Sequence, residues 1–270
     1  MQESLALGDV TIRLLLDAHM TIEGDRVFHP ATRQEWEVGL RADRQGRLPV
    51  AVRSLLISQG DEHTLVDTGF GEKEKSGRPE SLLKSLAAVE LQPKHIRRVI
   101  LTHAHGDHCL GNTLLRAGKW LPTFPLAEYV VQEREIAEMR RADNEMWRSR
   151  FQPLAERGQL RLLDGETELS AAVACWPTPG HTAGHQAVLA RSQGRQALYV
   201  GDLFIFARGL ERPDWGPSWA WSRQMDQQNR LRILAWAADS GATLVLGHDP
   251  QQAWSRIERM GEGFRAAPVA

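Results

Sequence analysis

Residues 102–108 read Thr-His-Ala-His-Gly-Asp-His, which places four metal-binding side chains, His103, His105, Asp107 and His108, within six positions. Imidazole and carboxylate together suit zinc, manganese, iron or cobalt. A two-residue spacing does not repeat on one helix face. It suits a loop at a strand end, and the small Ala104 and Gly106 let the backbone approach closely. One ion rarely takes four side chains from so tight a loop, so the cluster points to two ions side by side, each completed from elsewhere. The completing donors follow: His181 in Thr-Pro-Gly-His-Thr-Ala-Gly-His (178–185), Asp202 in Tyr-Val-Gly-Asp (199–202) and His248 in Val-Leu-Gly-His-Asp (245–249). Each stands where an apolar run ends, with glycine beside it or close by, as when rigid strands aim residues into one crevice.

The elements that must position these residues alternate between strand and helix. Val10–Leu16, Val50–Ser58, Thr64–Asp67 and Arg98–Thr102 read as strands, the middle two joined by a turn at Gln59-Gly60-Asp61. Leu160–Leu163, Val173–Trp176, Ala187–Ala190, Ala197–Val200 and Thr243–Leu246 read the same way. Helices are predicted over Ser81–Val89, Leu110–Leu115, Gln132–Arg150, Arg223–Ala238 and Ser255–Phe264. Residues 24–50, broken by Pro30, Gly39 and Gly46, form an excursion from the core. The whole chain, 1–270, reads as one domain of sheets covered by helices.

Composition bounds the partners. The 270 residues are 42% hydrophobic and 25% charged, with a formal net charge of -1, which favours neither nucleic acid nor an anionic membrane. There is no apolar run long enough to span a bilayer and no basic-then-apolar leader at the start, so a cytoplasmic protein is expected. Two cysteines, Cys109 and Cys175, make no disulfide scaffold. Both are expected to be small buried side chains, although Cys109 adjoins a metal-type histidine. His19, His29, His63 and His95 are expected on the surface or in structural roles. His185 is expected to support the site, and the arginines of 140–161 to lie on a solvated helix face.

Taken in order, the motifs resemble the metallo-β-lactamase superfamily. The segment 102–108 matches its His-x-His-x-Asp-His pattern, Leu65-Val66-Asp67-Thr68-Gly69 matches its early strand-end aspartate, and His181, Asp202 and His248 follow in the expected order. The resemblance spans roughly residues 50–250. It implies an α/β fold, an αββα sandwich of two mixed sheets face to face with helices outside. It implies that His103, His105 and His181 hold one ion, that Asp107, His108 and His248 hold a second, that Asp202 bridges them, and that Asp67 orients a ligand histidine. Two divalent ions, zinc by expectation, would acidify a bridging water to a pKa of about 7, and the hydroxide would attack a carbonyl or phosphoryl centre. Asp107 would then be the catalytic proton carrier to the leaving group.

The fold supports many chemistries, so the substrate must come from the site. Length, the early Phe-His-Pro segment and the aromatics after Asp202 look like the branch of N-acyl homoserine lactonases and methyl-parathion-hydrolase-like enzymes. The expected reaction is opening of an acyl lactone or another ester of an apolar small molecule. In the best-known acyl-homoserine lactonases a tyrosine stands three residues past the bridging aspartate. Here that place holds Ile205, which leans toward a phosphotriesterase or aryl esterase. Phe204, Phe206, Trp215 and Trp219 are candidates for an apolar pocket wall, against core packing. Phe28 and Trp36 are candidates for the opposite wall or for a homodimer contact. A β-lactamase would carry a secretory leader, a glyoxalase-II-type thioesterase a basic C-terminal region, a ribonuclease relative a basic surface, and a flavodiiron enzyme a carboxylate in place of His105. A non-catalytic metal-binding protein is the rival of another class, and the complete donor set argues against it.

Overall fold

The computed structural model describes residues 4–71 and 81–269; of the start read above for a leader, residues 1–3 lie outside them. The strand pattern sets the architecture. In β2 (Val10–Glu23) the alternate residues Val10, Ile12 and Leu14 turn into the core between two sheets, while Leu15 turns to the outer face. The first sheet begins with β1 (Ser4–Leu7), β2, β3 (Arg47–Gln59), β4 (Glu62–Val66) and β5 (Ile96–Ile100). A separate two-stranded ribbon follows, β6 (Thr113–Arg116) with β7 (Lys119–Pro122). The chain then returns to the first sheet with β8 (Glu128–Gln132) and β9 (Leu160–Leu163). The second sheet runs β10 (Thr167–Glu168), β11 (Val173–Pro177), β12 (Gln186–Ser192), β13 (Arg195–Tyr199), β14 (Thr243–Val245), β15 (Trp254–Met260) and β16 (Gly263–Pro268), in that spatial order. Both sheets are mixed: β4, β5, β8 and β9 are parallel neighbours, as are β13 and β14, and the remaining pairs are antiparallel.

Apolar side chains form three layers. Between the sheets lie residues such as Ile57, Val66, Val130, Cys175, Val188 and Val245. Outside the first sheet, Leu86 of α3 (Leu82–Ala88), Ile136 of α5 (Glu133–Arg141) and Leu154 of α6 (Gln152–Glu156) pack on Leu65, Val99 and Val131. Outside the second sheet, Ile233, Leu234 and Ala237 of α7 (Arg223–Ser240) pack on Leu189, Leu198 and Leu244. This helix begins at Ser222, whose side chain accepts from the Met225 amide, and ends at Gly241 with φ 64°. The two sheets and their outer helices are the αββα sandwich. Among the described residues, no helix is long and apolar enough to cross a membrane.

The excursion connects β2 to β3 and folds back on the body. It carries two short helices, α1 (Gly24–Val27) and α2 (Arg33–Trp36), the second with a capping box between Thr32 and Glu35. Val27, Phe28 and Trp36 are buried with Leu48, Val50, Ile205, Phe206 and Trp215 in a fourth cluster. Gly24 is required there, because a Cβ on it would meet the Trp36 ring at 2.3 Å.

Three predicted helices differ from the structure. Leu110–Leu115 is one 3-10 turn (Leu110–Asn112) running into β6, because Gly111 lies so close to the Thr68 carbonyl that a Cβ would sit 2.0 Å from its oxygen. Ser255–Phe264 is the β15–β16 hairpin, turning at Gly261 with φ 58°. Arg256 and Glu258 lie on the exposed side, while Ile257 between them packs inward. Gln132–Arg150 is broken after α5 by Asp143 (φ 45°) and resumes as a π-helical turn, Trp147–Phe151, before α6. Arg150 is correspondingly no solvated arginine. It is buried, its guanidinium 4.0 Å from the Trp120 ring centroid and donating to Thr113 Oγ1 at 2.9 Å.

Trp36 anchors the excursion, with its indole fully buried and Nε1 donating to Asp25 at 2.7 Å. Trp36→Ala is expected to cost about 3–5 kcal/mol of folding free energy, measured as a shift in denaturant midpoint. A change within 0.5 kcal/mol would show that the excursion is not part of the cooperative core.

Candidate metal centre

Every predicted metal donor stands just past the C-terminal end of a strand, and all these strand ends meet at one end of the sandwich. β4 and β5 are parallel and deliver Asp67 and the 103–108 loop. β11 and β13 are both antiparallel to β12 and so run the same way, and β14 is parallel to β13. They deliver His181, Asp202 and His248. The short helix α4 (Gly106–Cys109) turns the chain so that Asp107 and His108 enter a different donor group from His103 and His105.

The donors gather in two groups, His103, His105, His181 and Asp202 in one and Asp107, His108 and His248 in the other. In the first, His105 Nδ1 lies 3.0 Å from both His103 Nε2 and His181 Nε2. Asp202 Oδ2 is 3.2 Å from His181 Nε2 and 3.9 Å from His103 Nε2. In the second, His108 Nε2 and His248 Nε2 are 3.1 Å apart, and Asp107 Oδ2 is 3.6 Å from each. Asp202 Oδ1 reaches this group, at 3.2 Å from His108 and 3.0 Å from His248. One carboxylate therefore presents one oxygen to each group.

The surrounding contacts fix which ring nitrogens are free. His108 Nδ1 donates to Asp67 Oδ2 at 2.8 Å, and His248 Nδ1 donates to the Ala51 carbonyl at 2.9 Å. In the neutral rings both Nε2 atoms then carry lone pairs, and these face each other and Asp202 Oδ1, which has no hydrogen-bond donor. A tetrahedral ion with bonds of about 2.0–2.1 Å holds its ligands about 3.3 Å apart, close to these spacings. The donor set fits two divalent cations.

The electrostatics agree. Burial pulls the His103 and His181 pKa values well below the ordinary imidazole value, with neighbouring histidines adding to the effect, so both rings are neutral. Burial also works against charge on His108 and His248. There the carboxylates outweigh it, Asp107, Asp202 and Asp67 for His108 and Asp202 foremost for His248, and both values rise. Asp202 is held well below the carboxylate range, against burial, by His108, His248 and His181. The pocket calls for positive charge, and among the described residues the ion pairs of Asp107 and Asp202 are with histidines, none with Lys or Arg.

Asp67 adopts φ 62°, a strained conformation for a non-glycine residue. Its two oxygens accept from the Thr102 amide (2.8 Å), the Thr102 hydroxyl (2.9 Å) and His108 Nδ1, which locks the start of the metal loop to one of its ligands. His185 is buried, its Nδ1 against Thr178 Oγ1 at 2.8 Å and its Nε2 accepting the Asp202 amide at 3.1 Å. Burial depresses its pKa to about 3, so it acts as a neutral prop for Asp202. Cys109 and Cys175 are buried, with thiol pKa values raised by burial, and neither joins the donor groups.

Five of the six candidate wall residues are packing residues. Phe28, Trp36, Phe206 and Trp215 are buried together under the excursion, and Phe204 is buried under α7. Phe204 packs in the core beneath α7, while Ile205 and Phe206 pack together in the core beneath the excursion, so the two phenylalanines line no wall. Trp219 alone of the six borders the centre, its ring centroid 6.4 Å from that of His181 and 5.2 Å from the Arg26 guanidinium. Sequence reasoning also missed Glu135 of α5, which contacts both metal loops, and Asp249, whose carboxylate accepts from the amides of Ala207, Gln251 and Gln252 and braces the His248 loop. Glu135 lies in no donor-rich motif, and Asp249 stands beside His248 in the 245–249 segment without being singled out there.

Fold and donors together define the class. Residues 47–248 match the family described as the metallo-beta-lactamase superfamily, and the chain belongs to it. A Mycobacterium tuberculosis protein named "Probable metallo-hydrolase Rv2300c" is 26% identical over 233 residues, covering 73% of this chain and 74% of its own. A probable metal-dependent hydrolase from Staphylococcus aureus superposes with a TM-score of 0.85 at 22% identity, over 98% of this chain and 99% of that one. AidC, described as a dizinc quorum-quenching lactonase in complex with a product, superposes at 0.79 with 23% identity, over 99% and 97%.

Asp67→Ala is expected to weaken metal binding about 10–100-fold, measured by competition with a chromophoric chelator. Unchanged affinity would show that His108 needs no orienting partner. Stripping the metal from the wild-type protein is expected to lower its Tm, and restoring two equivalents to recover it, because the facing lone pairs lose their cation. A Tm indifferent to chelation would contradict the fit.

Proposed function

We propose that the protein is a dinuclear metal-dependent hydrolase that opens a lactone or another ester of an apolar small molecule. The observation that carries this reading is Asp202, whose two oxygens each face one donor group, with the partly exposed Asp107 and His105 on the open side. His103, His105 and His181 would hold one ion, Asp107, His108 and His248 the other, and Asp202 both. When bound, such a pair supplies an acidified water and electrophilic pull on the scissile oxygen.

The chain's own residues do the rest. Asp67, His185 and the Ala51 carbonyl keep the donors in place, so no reorganisation is needed as charge develops. Asp107 is partly exposed, with 22% of its side chain accessible, and can pass a proton to a leaving oxygen. Trp219 offers an apolar face beside His181 for the non-reacting part of a substrate. Similarity to the lactonase AidC supports the lactone reading. A phosphotriester or aryl ester is the second reading, favoured by Ile205, which is buried against Phe206 and Trp36 and offers no hydroxyl at that position.

The test follows ring-opening of a long-chain acyl homoserine lactone by proton release, with metal-stripped protein and His103→Ala as controls and an aryl phosphotriester in parallel. Turnover of the lactone that vanishes in both controls supports the reading. Turnover of the phosphotriester alone, in fully metallated protein, replaces it with the second. Trp219→Ala is expected to raise KM for long acyl chains more than for short ones. An equal effect on both would remove Trp219 from substrate contact.

A further inference from the structure

Glu135 stands in the first turn of α5, outside every motif, yet it joins the two loops that build the first donor group. Its Oε1 accepts from the Ala104 amide, between His103 and His105, at 2.9 Å. Its Oε2 accepts from the Thr182 hydroxyl at 2.6 Å and the Gly184 amide at 2.9 Å, just past His181. Gly184 allows this approach, since a Cβ on it would lie 2.3 Å from the Glu135 nitrogen. The far side of the His181 loop is pinned independently. Arg232 donates to the Pro177 carbonyl and Asn229 to the Pro179 carbonyl, while the Ser222 and Trp221 amides bond the Gly180 and His181 carbonyls. The second group is oriented by Asp67 and the Ala51 carbonyl, and the hydrogen bonds of the Glu135 carboxylate go to Ala104, Thr182 and Gly184 instead.

We propose that Glu135 is a positioning residue for the first metal group: its carboxylate sets the spacing between the loop carrying His103 and His105 and the loop carrying His181, and thereby the affinity for the ion those three hold. A carboxylate is needed because all three partners are donors. The amide of glutamine can accept on one atom only and turns an NH2 toward the rest. The critical distance is the 3.0 Å between His105 Nδ1 and His181 Nε2, which spans the two loops. This inference rests on the two-metal reading and is independent of the substrate.

The experiment reads metal affinity, not turnover. Zinc binding is measured by chelator competition in the wild type, in Glu135→Gln and in Thr182→Val, which removes one of the three bonds. The same Glu135→Gln change is made in His248→Ala, which cripples the second group, and in His181→Ala, which cripples the first. Glu135→Gln is expected to weaken one equivalent about 10–100-fold and leave the other unchanged, with Thr182→Val in the same direction but smaller. In the His248→Ala background it should weaken the remaining ion, and in the His181→Ala background it should change nothing. Two equivalents at wild-type affinity in Glu135→Gln would overturn the proposal. So would equal weakening in both backgrounds, the mark of general loosening. A wild-type protein that binds no pair of ions would instead remove the two-metal reading itself, before any variant is compared.

Discussion

The rest of the structure depends on a concentration of electron pairs. His108 Nε2, His248 Nε2 and Asp202 Oδ1 converge within about three ångströms of one another, three electron-pair donors that need protons or a shared cation between them. Without either, such an arrangement is repulsive, and burial makes it more so. It persists because each ring is pinned from behind, by Asp67 or by a main-chain carbonyl, and because the strands behind those pins are packed on both faces. The sandwich is the frame that pays this repulsion in advance, and divalent cations are what relieve it.

This constraint explains why the site was the most legible part of the sequence. Metal donors are chemically conspicuous, and their order along the chain survives any uncertainty in the intervening elements. His103, His105, Asp107 and His108 share one loop, and His181, Asp202 and His248 each mark a strand end. The two-layered fold was legible through the same strand ends and the resemblance they carry. Short buried strands such as Thr243–Val245 announce themselves by apolar runs.

What escaped the sequence did so for physical reasons. The β15–β16 hairpin carries charges at a spacing that serves a strand or a helix equally, and only Ile257 packing beneath α7 decides between them. The aromatics after Asp202 stayed open between pocket wall and core in the sequence, because burial and pocket-lining use the same residue types. Phe204 and Phe206 differ by two positions but enter different cores. Arg150 hides its charge against Trp120, which no composition reveals. Glu135 was invisible for the opposite reason: an acidic residue in the first turn of a charged helix is what any solvated helix would carry.

All the donor loops sit at one end of the strands, and among the described residues no donor group lies at the other. There β3 turns into β4 at Gly60 and β12 into β13 at Gly194, both with positive φ and with open space where a Cβ would stand. Exposed turns of this kind tolerate added chain. The molecule thus comes with a working pole and a handling pole: a peptide linker, a surface anchor or a new pair of termini introduced at either turn would stand a full strand length from the metals and leave their geometry untouched.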